Sequence, residues 1–121
     1  MLYSDDITYA GVQKLPDGWD TDSAEEKALE YTKNVIKELK AADTVPTMIT
    51  IGNEVNYNFL TLSNWDGYCA MAEISKTVKD AGIKTAFSFA APEKASDIQY
   101  IIEQLGYACE KYEGAGYDIL E

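Results

Sequence analysis

The sequence predicts an α/β fold built on a parallel sheet, and three observations lead to it. Short apolar runs alternate with longer segments in which apolar residues recur at helical spacing. Successive strand candidates are about 35 residues apart, the size of a βαβ unit. Gly and Pro residues separate the segments as turn formers. Strands that alternate with helices are joined by right-handed crossovers, so we expect the strands to be parallel.

The first predicted helix spans residues 24–42. Ser23 stands three residues before Glu26, which is the spacing of a capping box at a helix N-terminus. Apolar residues then recur at helical spacing. Lys37 and Lys40 lie near the C-terminal end, where the helix dipole favours positive charge.

Two further helices are predicted from the same kinds of signal. The second begins at residues 63–66 and ends before Gly82. Its predicted core face consists of Trp65, Tyr68, Met71, Ala72, Ser75 and Val78. The third begins with a second capping box at residues 96–99 and ends before Gly114. Its predicted apolar face consists of Ile98, Ile101, Ile102, Leu105, Ala108, Cys109 and Tyr112.

Four short segments are predicted as strands. Residues 48–51 are a continuous apolar run, which is typical of a buried strand. Residues 84–89 alternate large and small side chains, and residues 117–120 follow the third helix as a further strand. Residues 2–4 are predicted as the tail of a strand in an otherwise loop-like segment over residues 1–20.

Composition favours one globular domain with a neutral ligand. The chain has 121 residues, of which 46% are hydrophobic and 26% charged, enough for one modest core. Its formal net charge of −11 disfavours nucleic acid and anionic membranes as partners and is compatible with sugars. No signal-peptide pattern is visible, and no run is long and apolar enough to span a bilayer.

Several chemistries are excluded or disfavoured by residue type. The sequence has no His, which excludes a Ser-His-Asp triad, a Cys-His dyad and a His-ligated zinc site within the chain. No Gly-rich phosphate loop opens any predicted helix, which disfavours a nucleotide or a flavin. No cofactor and no metal site are predicted. Cys69 and Cys109 fall in predicted helices and are expected as a buried, reduced pair, with a disulfide as the open alternative.

The candidate site follows the strand at residues 48–51. Gly52 ends the apolar run, and Asn53 and Glu54 come directly after it. A carboxylate just beyond a buried strand is costly to desolvate unless it has partners or a chemical task. In parallel α/β folds, ligands bind at this end of the strands. An isolated Asn-Glu pair is also compatible with the start of an ordinary loop.

A resemblance to a known family favours the functional interpretation. The residues that carry it are Tyr3-Ser4-Asp5, Gly11, Gln13, Pro16, Trp19, Tyr31-Thr32, Met48-Ile49-Thr50-Ile51-Gly52-Asn53-Glu54 and Tyr117-Asp118-Ile119-Leu120. Together they resemble glycoside hydrolase family 53, the endo-β-1,4-galactanases, which are (β/α)8-barrel retaining glycosidases. A complete barrel needs roughly 250 residues, so the resemblance implies one partial TIM barrel domain over residues 1–121, roughly the third to sixth strands.

The resemblance also implies roles for the candidate residues. Glu54 becomes the acid/base that protonates the leaving oxygen and later deprotonates water. Asn53 becomes a donor to the sugar 2-hydroxyl. The remaining substrate-binding candidates that line the sugar subsites are Tyr3, Asp5, Asn56 and Tyr57.

The sequence departs from the family pattern in ways that put galactan specificity in doubt. Leu2 stands where the family has a His, Ile7 where it has a Trp, and Tyr9-Ala10 where it has Asp-Pro. An expected aromatic residue is missing near Thr61. The nucleophile of this clan is a second Glu on the seventh strand, and none of the other acids considered matches it, namely Asp5, Glu93 and Asp118.

Three interpretations therefore stand side by side. The chain is an excised segment of a family 53-like enzyme, inactive alone, or a non-catalytic sugar-binding or self-assembling half barrel, or a flavodoxin-like domain. Leu120-Glu121 is either native or a cloning remnant. The resemblance implies a secreted or cell-surface parent that binds an oligosaccharide or polysaccharide. Because exposed parallel strands are unfavourable, we also expect a homo-oligomer formed through the open barrel face or edges.

Overall fold

The alternation of helices and strands is confirmed in the part of the chain that the structure describes. The computed structural model describes residues 16–52, 59–60, 62, 64–89 and 95–121. Within them the elements are α1 (Ala24–Ala41), β1 (Met48–Thr50), α2 (Asn64–Asp80), β2 (Lys84–Phe87), α3 (Ala95–Glu110) and β3 (Ile119–Leu120). The predicted strand tail at residues 2–4 lies outside the described residues.

The three described strands form one parallel sheet in the order β1-β2-β3. Thr50 is paired with Ala86, and Ala86 with Ile119, so these three side chains share one face of the sheet. The ladder continues past β3, because the N–H of Glu121 donates to the carbonyl of Phe87 and the N–H of Phe89 donates to the carbonyl of Glu121, each at 2.8 Å.

The helices α1, α2 and α3 pack together as one layer with α2 in the middle. One buried cluster joins residues of all three helices to the sheet residues Ile51 and Phe87. A second, smaller cluster joins Ile36 of α1 and Val78 of α2 to Ile49. Ile49 and Ile51 therefore point to the covered face of the sheet, which we call the helix face.

The opposite face, which we call the open face, is less completely covered. Met48 and Thr50 of β1 are half-buried, whereas Ile49 between them is buried. On the same face Ala86 is buried but small, and Ile119 is 41% exposed. The described strands therefore bury their large apolar side chains on the helix face only.

A polar network ties the amino ends of β2 and β3 to α2. The buried Thr85 hydroxyl donates to the carbonyl of Gly116 at 2.8 Å, and the N–H of Gly116 donates to the Ser75 hydroxyl at 3.0 Å. The Ser75 hydroxyl donates in turn to the carbonyl of Ala72 at 2.7 Å. Because buried hydroxyls are costly when unpaired, this chain of bonds fixes the turn before β3 against α2.

Trp65 was expected to lead the core face of α2, and this expectation is wrong. The side chain is 39% exposed and lies beside the Lys111 ammonium instead. The other residues of the predicted face are buried, namely Tyr68, Met71, Ala72, Ser75 and Val78. Helical spacing places Trp65 on that face, but the neighbouring elements do not bury it at the first turn of α2.

Both predicted capping boxes are also wrong in detail. Ser23 makes no side-chain bond to the first turn of α1. Its hydroxyl donates to the Asp20 carboxylate at 2.7 Å, and its N–H donates to the same carboxylate at 2.9 Å. Ser96 lies inside α3, which begins at Ala95. Short polar side chains bond equally well to preceding turns, and the local sequence does not distinguish these options.

The remaining expectations for the helices are close to the structure. Gly82 has a φ of +79°, as expected for the residue after a helix. Tyr112 packs against the core but lies beyond the end of α3. Cys69 and Cys109 are both free, although Cys109 is only partly buried.

Two glycines make opposite predictions for stability. Gly106→Ala should raise the free energy of unfolding by about 0.5–1 kcal/mol, because Gly is costly inside a helix. A Cβ at this position meets nothing within 4 Å. Gly82→Ala should lower the free energy of unfolding by about 1–2 kcal/mol, since Ala is strained at positive φ. Denaturant unfolding of both variants checks the signs, and equal effects would contradict the assigned backbone geometry.

Candidate functional site

The predicted site residues all lie outside the described part of the chain. They are Tyr3, Asp5, Asn53, Glu54, Asn56 and Tyr57. The structure therefore does not test whether these side chains come together. It does describe the two segments that flank residues 53–58, and these fix where that segment leaves and rejoins the fold.

The segment leaves the fold from the carboxyl end of β1. The N–H of Ile51 donates to the carbonyl of Ala86 at 2.9 Å, one residue beyond the assigned strand. Ile51 is fully buried, and Gly52 is buried as well. Asn53 thus follows directly on a backbone held by the sheet, at the end of the strands where ligands bind in parallel α/β folds.

The segment rejoins the fold at α2. Phe59 and Leu60 are buried, and the N–H of Leu62 donates to the carbonyl of Phe59 at 3.1 Å. A Cβ at Gly67 of α2 would lie 3.7 Å from the Cβ of Phe59, in ordinary contact. Leu60 adopts a φ of +55°, a conformation that non-glycine residues rarely take. Buried contacts therefore hold Gly52 and Phe59, the described residues on either side of positions 53–58.

The carboxyl ends of β1 and β3 are also linked by side chains across β2. The Thr50 hydroxyl donates to the Glu121 carboxylate at 3.2 Å. The small side chain of Ala86 lies between them on the open face, which leaves room for this bond. The three described strands thus end at a common edge with polar groups on the open face.

Asp118, an acid weighed for the missing nucleophile, lies at the other end of the sheet. Its carboxylate accepts the N–H of Thr85 at 2.9 Å and faces Lys79 at 3.4 Å. The Thr85 bond, with a smaller contribution from Lys79, lowers the pKa of Asp118. A carboxylate so held at the amino end of β2 has a structural role.

An acidic pair that sequence reasoning missed lies between α1 and α2. Burial, followed by a hydrogen bond to Glu73, raises the pKa of Glu25. Asp66 raises it further and Lys111 opposes the shift. No local sequence signal relates Glu25 to Glu73, because the two residues lie 48 positions apart. Glu73, but not Glu25, lines a groove of about 390 Å³ between α1 and α2.

The described residues contain neither a membrane-spanning helix nor a group of side chains that could hold a metal ion. None of the described helices has the length and apolar character needed to cross a membrane. Within the same residues, no group of three or more acidic or Cys side chains is arranged to hold a metal ion.

A comparison with protein families matches nearly the whole chain. The family described as glycosyl hydrolase family 53 matches residues 1–120. The matched range includes the described fold and all six predicted site residues. The resemblance inferred from the sequence motifs is thereby confirmed.

The Glu25–Glu73 pair predicts a pH-dependent stability. The pKa of Glu25 is higher in the folded chain, so its stabilising contribution is present below the unfolded pKa and is lost as the pH rises through the folded value. Glu25→Gln should therefore raise the melting temperature at pH 7, where the two carboxylates repel, and have little effect near pH 4. Because the pair is partly exposed, we expect a gain below about 1 kcal/mol.

The matched control for that experiment is Glu26→Gln, which removes the same charge from an exposed neighbour. Thermal unfolding across pH 4–8 compares the two variants and the parent. Identical pH profiles for Glu25→Gln and Glu26→Gln would contradict the pairing.

Proposed function

The chain belongs to glycosyl hydrolase family 53, and on that basis we propose that it is the acid/base-bearing segment of a retaining glycosidase. Its proposed substrate is β-1,4-galactan or a related plant polysaccharide. The departures at Leu2, Ile7 and Tyr9-Ala10 bear on the identity of the sugar rather than on the reaction class. A secreted or cell-surface setting for the parent protein is part of the same proposal.

The strand order supports a sector of a (β/α)8 barrel. The described strands follow one another in chain order, and all three helices share one layer. Doubly wound sheets reverse their strand order and place helices on both faces. Neither feature occurs among the described elements. The flavodoxin-like alternative is correspondingly weaker than the barrel.

The anchoring of the segment after β1 supports the role proposed for Glu54. Acid/base catalysis requires a carboxyl group held in a fixed position relative to the glycosidic oxygen. Glu54 stands two residues after the buried Gly52, and Phe59 returns the chain to the core. Asn53 is proposed to bind the sugar 2-hydroxyl, while Tyr3, Asp5, Asn56 and Tyr57 line the subsites.

Glu54 alone does not complete the reaction. A retaining enzyme needs a second carboxylate about 5–5.5 Å from the first, to form and release the covalent glycosyl intermediate. Among described acids, Asp118 is held at the opposite end of the sheet. We therefore assign the nucleophile to a part of the barrel that these 121 residues do not contain.

A second candidate role, self-assembly, is favoured by the exposed edge at β3. Ile119 and Leu120 are both about 40% exposed. Beside them Phe89, Ile98 and Ile102 line a groove of about 310 Å³. In a closed barrel the next β/α unit covers such an edge, and for the 121-residue chain by itself we propose that a second copy does so.

Glu54→Gln tests the catalytic role. The 121-residue chain should not hydrolyse β-1,4-galactan faster than Glu54→Gln, because the second carboxylate is missing. When the segment is completed to a whole barrel, Glu54→Gln should lower the rate on galactan by roughly 100–10,000-fold, the usual contribution of a general acid. The same substitution should lower the cleavage rate of an aryl galactoside with a good leaving group much less. Reducing-sugar release and aryl release measure the two effects.

The control for the catalytic test is Glu26→Gln, which should retain parental rates. Turnover by the chain alone that Glu54→Gln abolishes would contradict the missing-nucleophile proposal. Equal losses on galactan and on the aryl galactoside would contradict the acid role.

Ile102→Glu tests self-assembly. If a second copy covers the β3 edge, the parent chain should be a dimer or larger at micromolar concentration. A charge at Ile102 should shift it to monomer, because an unpaired charge is costly to bury. Asn34→Glu adds the same charge to the exposed surface of α1 and should change nothing. Light scattering after size exclusion decides, and a monomeric parent with cooperative unfolding would refute the role.

A further inference from the structure

Three aromatic side chains of α2 and α3, which we call the aromatic row, are exposed to solvent. Tyr100 and Tyr107 of α3 are 58% and 57% exposed, and Trp65 of α2 is 39% exposed. A single exposed ring is ordinary, whereas exposed rings grouped on one side of a helix can mark an interaction surface. Neither the fold nor the proposed Glu54 site makes use of them.

The spacing of the rings is regular. Tyr100 and Tyr107 are seven residues apart, which on a helix is about 10.5 Å along the axis and only about 20° around it. They therefore project from the same side of α3, separated by a length comparable with an extended disaccharide. Lys111 comes four residues after Tyr107, a spacing of about one helical turn. Its ammonium lies over the Trp65 ring.

Contacts with α2 fix the position of this row. The Lys111 Nζ lies 5.6 Å from the Trp65 ring centroid, a cation–π contact that orients the indole. The same ammonium lies 3.9 Å from the Cys69 Sγ. Burial, and to a smaller extent the proximity of Tyr100, raise the pKa of Tyr68 in α2. Tyr100 thus lies on the side of α3 that faces α2, and Lys111, just beyond the end of α3, also contacts α2.

The row lies away from the side of α3 on which a further barrel unit would pack. That side is marked by Ile98 and Ile102 at the groove beside Leu120. At 100° per residue, Ile102 lies about 140° from Tyr107 and about 160° from Tyr100. Completion of the barrel would therefore cover Ile102 and leave Tyr100 and Tyr107 exposed.

The chemistry of the surroundings favours a neutral, hydroxyl-rich ligand. Glu103 and Glu110 are exposed on α3, and the chain as a whole carries a net charge of −11. Nucleic acids and other polyanions are repelled by such a surface. Aromatic rings offer flat apolar contact at low entropic cost, while carboxylates accept hydrogen bonds from hydroxyls.

We propose that Trp65, Tyr100 and Tyr107 form a second carbohydrate-binding surface, separate from the Glu54 segment, that holds a neutral β-linked polysaccharide chain. The choice of ligand rests on the proposed function, because an enzyme of this family acts on a polymer long enough to contact both places. The surface retains the polymer by stacking of sugar rings on the aromatic side chains. It takes no part in bond cleavage.

The test is affinity electrophoresis of the 121-residue chain in gels that contain β-1,4-galactan, with β-1,4-mannan and xylan gels as further arms. The parent should be retarded in at least one of these gels. The double variant Tyr100→Ala/Tyr107→Ala should bind at least roughly tenfold more weakly, given the energy of one or two aromatic contacts. Tyr100→Phe/Tyr107→Phe keeps both rings and should retain most of the binding.

Two controls separate this surface from the Glu54 site and from general effects. Tyr31→Ala removes a ring of similar exposure from α1 and should bind as the parent does. Asn53→Ala/Glu54→Gln disables the proposed catalytic segment and should still be retarded through the aromatic row. Failure of the catalytic proposal therefore leaves this measurement intact.

Three outcomes would overturn the inference. They are a parent that no gel retards, a double Ala variant that binds as well as the parent, and a double Phe variant that loses binding as fully as the double Ala variant. If the double Ala variant instead changes the oligomeric mass measured by light scattering, the row is a protein contact and the inference is again wrong. Thermal unfolding should show parental stability for both double variants, since the side chains are exposed.

Discussion

The burial of α2 is the constraint on which the rest of the described structure depends. Met71, Ile74 and Val78 are almost completely inaccessible, because α1 and α3 flank the helix and the sheet lies beneath it. Burial of a large apolar side chain contributes roughly 1.5–3 kcal/mol, so this one helix accounts for much of the driving force. Its neighbours are fixed in turn, since each must present an apolar stripe to α2.

This arrangement also determines which end of the sheet is available for chemistry. The amino ends of β2 and β3 are occupied by the network of Thr85, Gly116 and Ser75, with Asp118 paired to Thr85. The carboxyl ends carry no comparable cross-links to the helices among the described residues. The polar cross-links to α2 thus lie at the amino ends of the strands, opposite to the end at which the proposed Glu54 site follows β1.

The order of elements could be predicted from the sequence because it depends on local periodicity. The predicted helix at residues 24–42 and the observed Ala24–Ala41 differ by one residue. Interactions between distant elements were beyond such reasoning. The Glu25–Glu73 pair, the exposure of Trp65 and the bond from Ser23 to Asp20 each depend on a neighbour that spacing does not reveal.

For the candidate site, the sequence indicated the family of the chain but not the relative positions of the side chains. The residues from Met48 to Glu54 indicated the family, and the family match over residues 1–120 confirmed it. The distance between two carboxylates on different strands is set by barrel closure, a property of the whole sheet. No motif within one strand contains that information.

The open face bears on how a partial barrel would associate. The sequence led us to expect that the inner face of the sheet would be broadly apolar and exposed to solvent, with two copies meeting across it. The described open face is less apolar than that, because Thr50 has a hydroxyl bonded to Glu121 and Ala86 has little surface to bury. At the β3 edge, Ile119 on the open face and Leu120 on the helix face are both exposed, and Leu120 lines the groove with Ile98 and Ile102. Since burial scales with apolar area, association should involve the β3 edge rather than the open face.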